Sequence, residues 1–483
     1  MQQLARYRRP VATLALVGAL LAGATGSGIR STQVHAARAA ATSNVTLTMW
    51  TWKQIHVAGW EAVAAAFKAQ TGITVSVQAT TPDAIYRTKV VAAGQTHTLP
   101  DILSYWSNDF TPEGDGYLTD LTGKIDCSAY VKGTCDTTSL VTPALYKQWH
   151  ADPKTFKSFL SLPVGHIYTV PELAGSPNFM FFHKSMMKRA GLDPNKAPAT
   201  FEALISDLQK ITAAGQPGMA AGVKNPDVPF FWILQPAYAQ YVGQQAYEDQ
   251  MTGYAPIDNA KFVHLLTLFK QLSTGRLWVP GVTSIDIDPA DAAFAAGRSS
   301  LDVGGTYTYA ALQQLGVPAS DILTFNVPGP AGSAIGTFDN AAFSLIEEGV
   351  SKTSTHQAEA LQWLKFSTGP QGAAIFAKLA KDLPATKLPA DAAIVGPAVA
   401  TLEGFFQHSH GGTVNPIQDK TPNGQSSAPG NATNQLENDI QLLILGQGDP
   451  AAFAASMQAA IKNSNDLAFG KGKLPPHFIV PKG

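Results

Sequence analysis

Four short stretches of the chain gather side chains suited to holding a molecule without reacting with it. Trp50 and Trp52 are followed by Lys53 and Gln54, and Tyr105 and Trp106 by Asn108 and Asp109. Trp232, Gln235 and Tyr238 share a polar-aromatic stretch, and Gly304-Gly305-Thr306-Tyr307 follows an apolar run. Flat aromatic faces match the C–H faces of a sugar ring, while Asn, Gln, Asp and Lys match its dense hydroxyls. Such polar groups fix orientation and specificity where cleft walls shield them from water. A single aromatic is more often core than site. The clustering beside hydrogen-bonding residues is what raises the set above that expectation. Trp60, on an apolar helical face, belongs to the core.

Motifs for covalent chemistry are missing: there is no Walker phosphate loop, no HExxH and no GxSxG elbow. Gly446-Gln-Gly448-Asp-Pro-Ala451 is similar to a truncated dinucleotide fingerprint, but it follows a helical run and Asp449-Pro450 starts the next helix. Asp286, Asp288 and Asp291 are loosely similar to a calcium loop. Gly297 stands where the bidentate Glu belongs and no Gly sits sixth, so helix capping is the better account. His408 and His410 have no third ligand nearby and read as solvated loop residues. No cofactor and no metal are expected.

The elements that must position the aromatic groups are legible as alternating strands and helices. Val45 to Trp52 reads as a buried strand, and Trp60, Val63 and Phe67 lie on one face of a helix ended by Thr71-Gly72. Ile73, Val75 and Val77 alternate as a second strand, Ile85 to Ala93 is helical, and Ile102 to Tyr105 forms a third strand. This order is the signature of a parallel sheet covered by helices. In open α/β sheets ligands lie outside the carboxyl ends of strands, where the first two aromatic groups fall. Further on, Thr200 caps a helix through Leu204, Leu208 and Ile211, and Asp258 another through Phe262, Leu265 and Phe269. Asp288-Pro289 opens a short helix ended by Gly297, and later helices are expected near 355–367, 370–381 and 450–464. Residues 411–433 read as a long exposed loop.

Arg6, Arg8 and Arg9 precede an apolar run from Val11 to Ala24, and Val34-His35-Ala36 supplies small residues at the cleavage spacing of a secretory signal. The run is shorter than the roughly 20 residues of a membrane span, which favours cleavage after Ala36 over an uncleaved anchor. Arg8-Arg9 is also the pair used in twin-arginine export. No Cys follows the run to carry a lipid. The removed piece contains arginines and no acid, leaving a mildly acidic exported chain. With 34 Lys+Arg against 35 Asp+Glu in the whole sequence, no basic excess exists to bind nucleic acid. Cys127 and Cys135 are the only cysteines; in an oxidising compartment a disulfide is expected, with two free thiols the alternative.

The order Leu47-Thr-Met-Trp-Thr-Trp52, Phe67-Lys-Ala-Gln-Thr-Gly-Ile-Thr-Val75, Tyr86-Arg-Thr-Lys89, Leu99-Pro-Asp-Ile102, Tyr117-Leu-Thr-Asp-Leu121, Phe181-Phe-His-Lys184, Phe294-Ala-Ala-Gly297 and Gly305-Thr-Tyr307 resembles the family 1 extracellular solute-binding proteins of sugar ABC importers, the maltose-binding-like group. The helix Ala360 to Phe366 leading to Gly369-Pro-Gln-Gly372 extends the match. The resemblance implies a two-lobed periplasmic-binding-protein fold of type II, with α/β lobes joined by crossing strands and a sugar held in the cleft. By analogy, lobe one takes 44–175 and 338–385, lobe two 176–337 and 386–483, and 1–36 is the signal.

Carried over by position, Trp52, Lys53 and Gln54 form the contact turn after the first strand. Tyr105, Trp106, Asn108 and Asp109 form the contact loop after the third, and Tyr307 is the stacking aromatic after the Gly pair. Phe338, Asp339 and Asn340 fall where the chain re-crosses beside the cleft, and Trp232 is a ligand-binding candidate from its polar-aromatic stretch alone. The aromatic platform of maltose binders has no counterpart at Asn431-Ala-Thr-Asn434, where Phe405 or Phe406 would have to substitute. The implied function is to close on a mono- or oligosaccharide and deliver it to ABC-transporter permease subunits, as a monomer and without catalysis. The alternative is a secreted glycoside hydrolase, which needs two carboxyls about 5–9.5 Å apart; Asp109, Glu172 and Asp339 are its candidates near the cleft.

Overall fold

The computed structural model describes residues 44–106, 116–130, 135, 166–175, 178–225, 228–336, 343–389, 391–406, 439–474, 477 and 479. The expected signal 1–36, His408, His410, the 411–433 loop and Asn431–Asn434 lie outside the described residues.

β1 (Thr46–Thr51) buries Leu47 and Met49, and the helix Val57–Thr71 behind it buries Gly59, Trp60, Val63, Ala64 and Phe67. That spacing makes one apolar stripe. The helix stops where Gly72 turns left-handed at φ 76° and returns its N–H to Lys68 O. β2 (Thr74–Ala79), the helix Asp83–Thr96 and β3 (Ile102–Trp106) follow, with β1 pairing parallel to both of its neighbours. The strand–helix alternation thus gives the parallel sheet that the sequence implies.

Two later strands complete that sheet. β4 (Val170–Gly175) and β8 (Phe343–Val350) add antiparallel, giving the order β2-β1-β3-β8-β4. β8 arrives from far along the chain and wedges between early strands. The β4–β8 register shifts on both sides of Leu173, so Glu172 stands out of the ladder as at a bulge. A second sheet has β5 (Phe179–His183) at its centre, flanked antiparallel by β6 (Leu301–Gly304) and β7 (Ile322–Asn326). Only a few residues separate β4 in the first sheet from β5 in the second.

The first sheet's outer packing is aromatic. Trp60 lies 4.2 Å from Phe376 between ring centroids, and Phe67 meets Trp363 edge-on at 5.5 Å. These rings belong to the helices Val57–Thr71, Gln357–Ser367 and Pro370–Ala380. Gly59 allows the contact, since a Cβ there would sit 3.0 Å from the Phe376 ring. Burying each large side chain contributes about 1.5–3 kcal/mol.

Helix starts depart from the sequence reading by one or two residues. Thr200 does cap Phe201–Ala213, accepting from Ala203 N. The next cap is Asn259 rather than Asp258: its carbonyl oxygen accepts from both Lys261 N and Phe262 N. The short helix runs Ile287–Ala295 with Asp286 as its cap, so Asp288 and Pro289 lie inside its first turn. Cys127 and Cys135 are joined as a disulfide. Among the described residues no helix is long and apolar enough to cross a membrane.

Candidate functional site

The carboxyl end of β1 and the amino end of the helix Thr306–Gln314 meet around Lys53. β1 sits inside its sheet, so the chain leaving it must turn outward, and it does so through Trp52, Lys53 and the short 3-10 turn Gln54–His56. His56 turns inward, its Nε2 3.2 Å from Asp382 Oδ2 with both side chains fully buried. Gln54 is exposed and Trp52 half-buried. The Trp52 ring lies 5.9 Å from that of Tyr86, whose hydroxyl donates to the carbonyls of Trp50 and Ser104. Trp50 carries the Lys89 ammonium 3.6 Å above its ring centroid.

From the second sheet, β6 ends at Gly304 and the helix bearing Tyr307 begins two residues later. Gly304 is required there, because a Cβ would fall 1.9 Å from Thr308 Oγ1. The Tyr307 ring lies 5.6 Å from that of Trp232, tilted at 57°, and Trp232 sits in a π-helical turn, Val228–Leu234. The Lys53 ammonium lies 5.1 Å from the Tyr307 ring centroid and 3.9 Å from Asp288 Oδ1. Lys53, Tyr307 and Trp232 are therefore brought to one place by elements of both sheets, while Trp52, next to Lys53 in the chain, packs toward Tyr86.

The other sequence candidates fare differently. Tyr105 is buried, 2 % exposed, in a cluster with Tyr86, Val90, Leu103, Leu118 and Tyr168. Trp106 closes β3. Asn108, Asp109, Phe338, Asp339 and Asn340 lie outside the described residues. Phe405 and Phe406 end the helix Pro397–Phe406. Gln235 and Tyr238 are buried rather than lining a polar surface.

One expected cleft residue is misplaced. Glu172 is 3 % exposed inside the first sheet, accepting from Ser104 Oγ at 2.6 Å, and it is not a cleft carboxyl. The bulge in β4 turns it inward, toward Glu348 of β8. Burial and the neighbouring Glu348 charge hold the Glu172 carboxyl well above the usual range. Burial likewise pushes Glu348 up to about 8, although Ser367 Oγ donates to it at 3.1 Å.

A second acid pair beside Tyr307 escaped the sequence reading as a pair. Asp302 interrupts the apolar strand β6, and Asp291 lies on the buried face of the helix Ile287–Ala295 with Ala290, Ala293 and Phe294. Both carboxyls are buried and each lies within reach of the other's charge. Burial, then the Asp302 charge, raises Asp291 well above its ordinary value, and burial raises Asp302 to about 7. Burial and a neighbouring like charge both favour the protonated form of a carboxyl. The signal available in the sequence was an acid inside an otherwise apolar strand. Burial and these acids also raise the Tyr307 phenol, so it stays neutral. Its hydroxyl and those of Thr306 and Thr308 are buried with no hydrogen-bond partner among the described residues.

Such an arrangement offers aromatic faces, one ammonium, two buried acids and unused hydroxyls, which together suit a hydroxyl-rich guest. Among the described residues no group of three or more His, Cys, Asp or Glu is placed to hold a metal ion.

The sequence profile of bacterial extracellular solute-binding proteins matches residues 62–401. No curated protein sequence matches the chain. Many solved structures share its fold. One, from a study of xylan utilization by the thermophilic bacterium Caldanaerobius polysaccharolyticus, superposes with a TM-score of 0.67 at 20 % identity, covering 86 % of this chain and 99 % of that one. Maltose-bound MalE3 of T. maritima superposes at 0.63 with 18 % identity, covering 87 % and 99 %. The GacH receptor of Streptomyces glaucescens GLA.O, solved unliganded and with acarbose, gives 0.62 at 16 % identity, covering 88 % and 99 %. At these identities the likeness carries the two-lobed α/β fold.

Proposed function

The chain belongs to the bacterial extracellular solute-binding proteins, and from that premise we propose that it is the carbohydrate-binding component of an ABC importer. It closes on a mono- or oligosaccharide outside the membrane and hands it to the permease subunits. The halves we propose are 44–175 with 338–385, built on the five-stranded sheet, and 176–337 with 386–483, built on the three-stranded one. The observation that carries the reading is the convergence of Lys53 from the first with Trp232 and Tyr307 from the second.

A guest that touches both halves only when they are together favours the closed arrangement by that difference in affinity. Micromolar binding corresponds to about −8.2 kcal/mol. Aromatic contacts worth about 0.5–1.5 kcal/mol each beyond buried area do not reach that, so shielded hydrogen bonds from Lys53, Gln54 and the Tyr307 hydroxyl must add to them. Calorimetric titration against a panel of mono- and oligosaccharides tests the proposal. Binding of at least one sugar, recovered intact after prolonged incubation, is expected. Silence across the panel refutes carbohydrate binding, and shortened oligosaccharides would move the chain to the hydrolase class.

A further inference from the structure

Lys53 leaves the end of β1 in the first sheet, yet its ammonium ends among groups attached to the second. It lies 3.9 Å from Asp288 Oδ1 and 5.1 Å from the Tyr307 ring centroid. Its side chain is only 16 % exposed although Asp288 is 71 % exposed. The buried Asp291 is near enough to add its field at both Lys53 and Tyr307. An ammonium is attracted both by an aromatic face and by nearby carboxylates. The face toward which Lys53 reaches is the one a sugar ring would stack upon.

Tyr307 stands in the first turn of a helix whose last turn touches the first-sheet half elsewhere. Gln314 Nε2 donates to Ala380 O at 2.7 Å, and Lys381 Nζ donates to Gln313 O at 3.0 Å. Residues 307 to 314 span about 10 Å at 1.5 Å per residue. The segment after Ala380 then pairs with the β4 bulge, Ala174 N donating to Leu383 O and Ala385 N to Glu172 O. One helix thus carries the Lys53 contact at one end and, at the other, a contact with the chain beside β4.

We propose that Lys53 is a displaceable latch. Its ammonium draws the Tyr307 end of this helix toward the β1 turn when no guest is bound, and a guest stacking on Tyr307 takes its place. The proposal rests on the sugar-binding reading for the identity of the guest, not for the latch contact itself. The latch raises the closed population in the empty protein, and a displaced ammonium is free to turn to the guest's hydroxyls.

The test uses the full chain without sugar, with one fluorophore on each half and energy transfer reporting the closed-to-open ratio. Lys53→Met keeps the packing of the aliphatic stem and removes the charge. The ratio is expected to fall about two- to fivefold, the range of an exposed to half-buried cation–π contact. Lys53→Arg is expected to restore it. Asp288→Asn, at an exposed side chain that leaves the core untouched, is expected to move the ratio the same way by less. A ratio unchanged in both Lys53→Met and Asp288→Asn overturns the latch. Because no sugar is present, a failed sugar screen on the natural chain would remove the carbohydrate reading without deciding the latch.

Discussion

Tyr307 carries two separable contributions, a face and a hydroxyl. The ring is fixed by Trp232 on one side, while the hydroxyl is buried with no partner among the described residues. A buried hydroxyl left unsatisfied costs about 1–3 kcal/mol, a cost that a guest accepting its proton removes. Tyr307→Ala is therefore expected to weaken sugar binding at least tenfold in calorimetry while far-ultraviolet circular dichroism is unchanged. Tyr307→Phe keeps the face and should lose about fivefold, the worth of one net hydrogen bond of about 1 kcal/mol. If both variants bind like the natural chain, Tyr307 is no part of the site. The aromatic and its Gly pair were readable from order along the chain. Its acid neighbours were not, because Asp291 and Asp302 meet only after a helix and a strand pack together, and no spacing in the sequence announces that contact.

β4 and β8 pair side by side in the first sheet and carry the buried acids Glu172 and Glu348, and such buried acids set how the fold answers to pH. Unfolded Glu and Asp titrate near 4.3 and 3.9, whereas folded Glu172 and Asp291 lie well above this, Asp302 at about 7 and Glu348 at about 8. The folded chain thus keeps protons that the unfolded chain has released. The stability these groups contribute is full below about pH 4 and is lost as pH rises toward 7 to 8. The melting temperature is expected to fall between pH 5 and pH 8 at constant ionic strength. Glu348→Gln, which keeps an acceptor for Ser367 Oγ, should flatten that fall; a melting temperature that climbs over the same range contradicts the assignment. Asp120 and Asp321, held below their ordinary values partly by hydrogen bonds from Thr122 and Ser185, act only at lower pH. Caps behave more locally: Thr200→Ala should cost about 0.5–2 kcal/mol in denaturant unfolding. Periodicity located these elements because a buried stripe is a property of one segment. It left starts uncertain by a residue or two because Asp258, Asn259, Asp286 and Asp288 are all competent caps, and only backbone geometry chooses Asn259 and Asp286. The inward turn of Glu172 was likewise invisible, since a bulge depends on the register between two strands far apart in sequence.

At the scale of the whole molecule, the first sheet is not continuous in the chain: β8 enters it only after all three strands of the second sheet have been made. The short link from β4 to β5 and the return into β8 make any movement of one sheet against the other a movement about those strands. A guest held only by the β1 turn would stabilise the fold without altering its shape. A guest held by Trp52 and Lys53 together with Trp232 and Tyr307 must do both, since its contacts exist only when the two ends are close. At one hundred times its dissociation constant a bound sugar adds about 2.7 kcal/mol by mass action, so the melting temperature should rise clearly above that of the sugar-free chain. Over the same titration the radius of gyration from small-angle scattering should fall, with a midpoint matching the calorimetric one. A melting temperature that rises while the radius stays constant would place the guest on one half alone, and closure would then have no part in its capture.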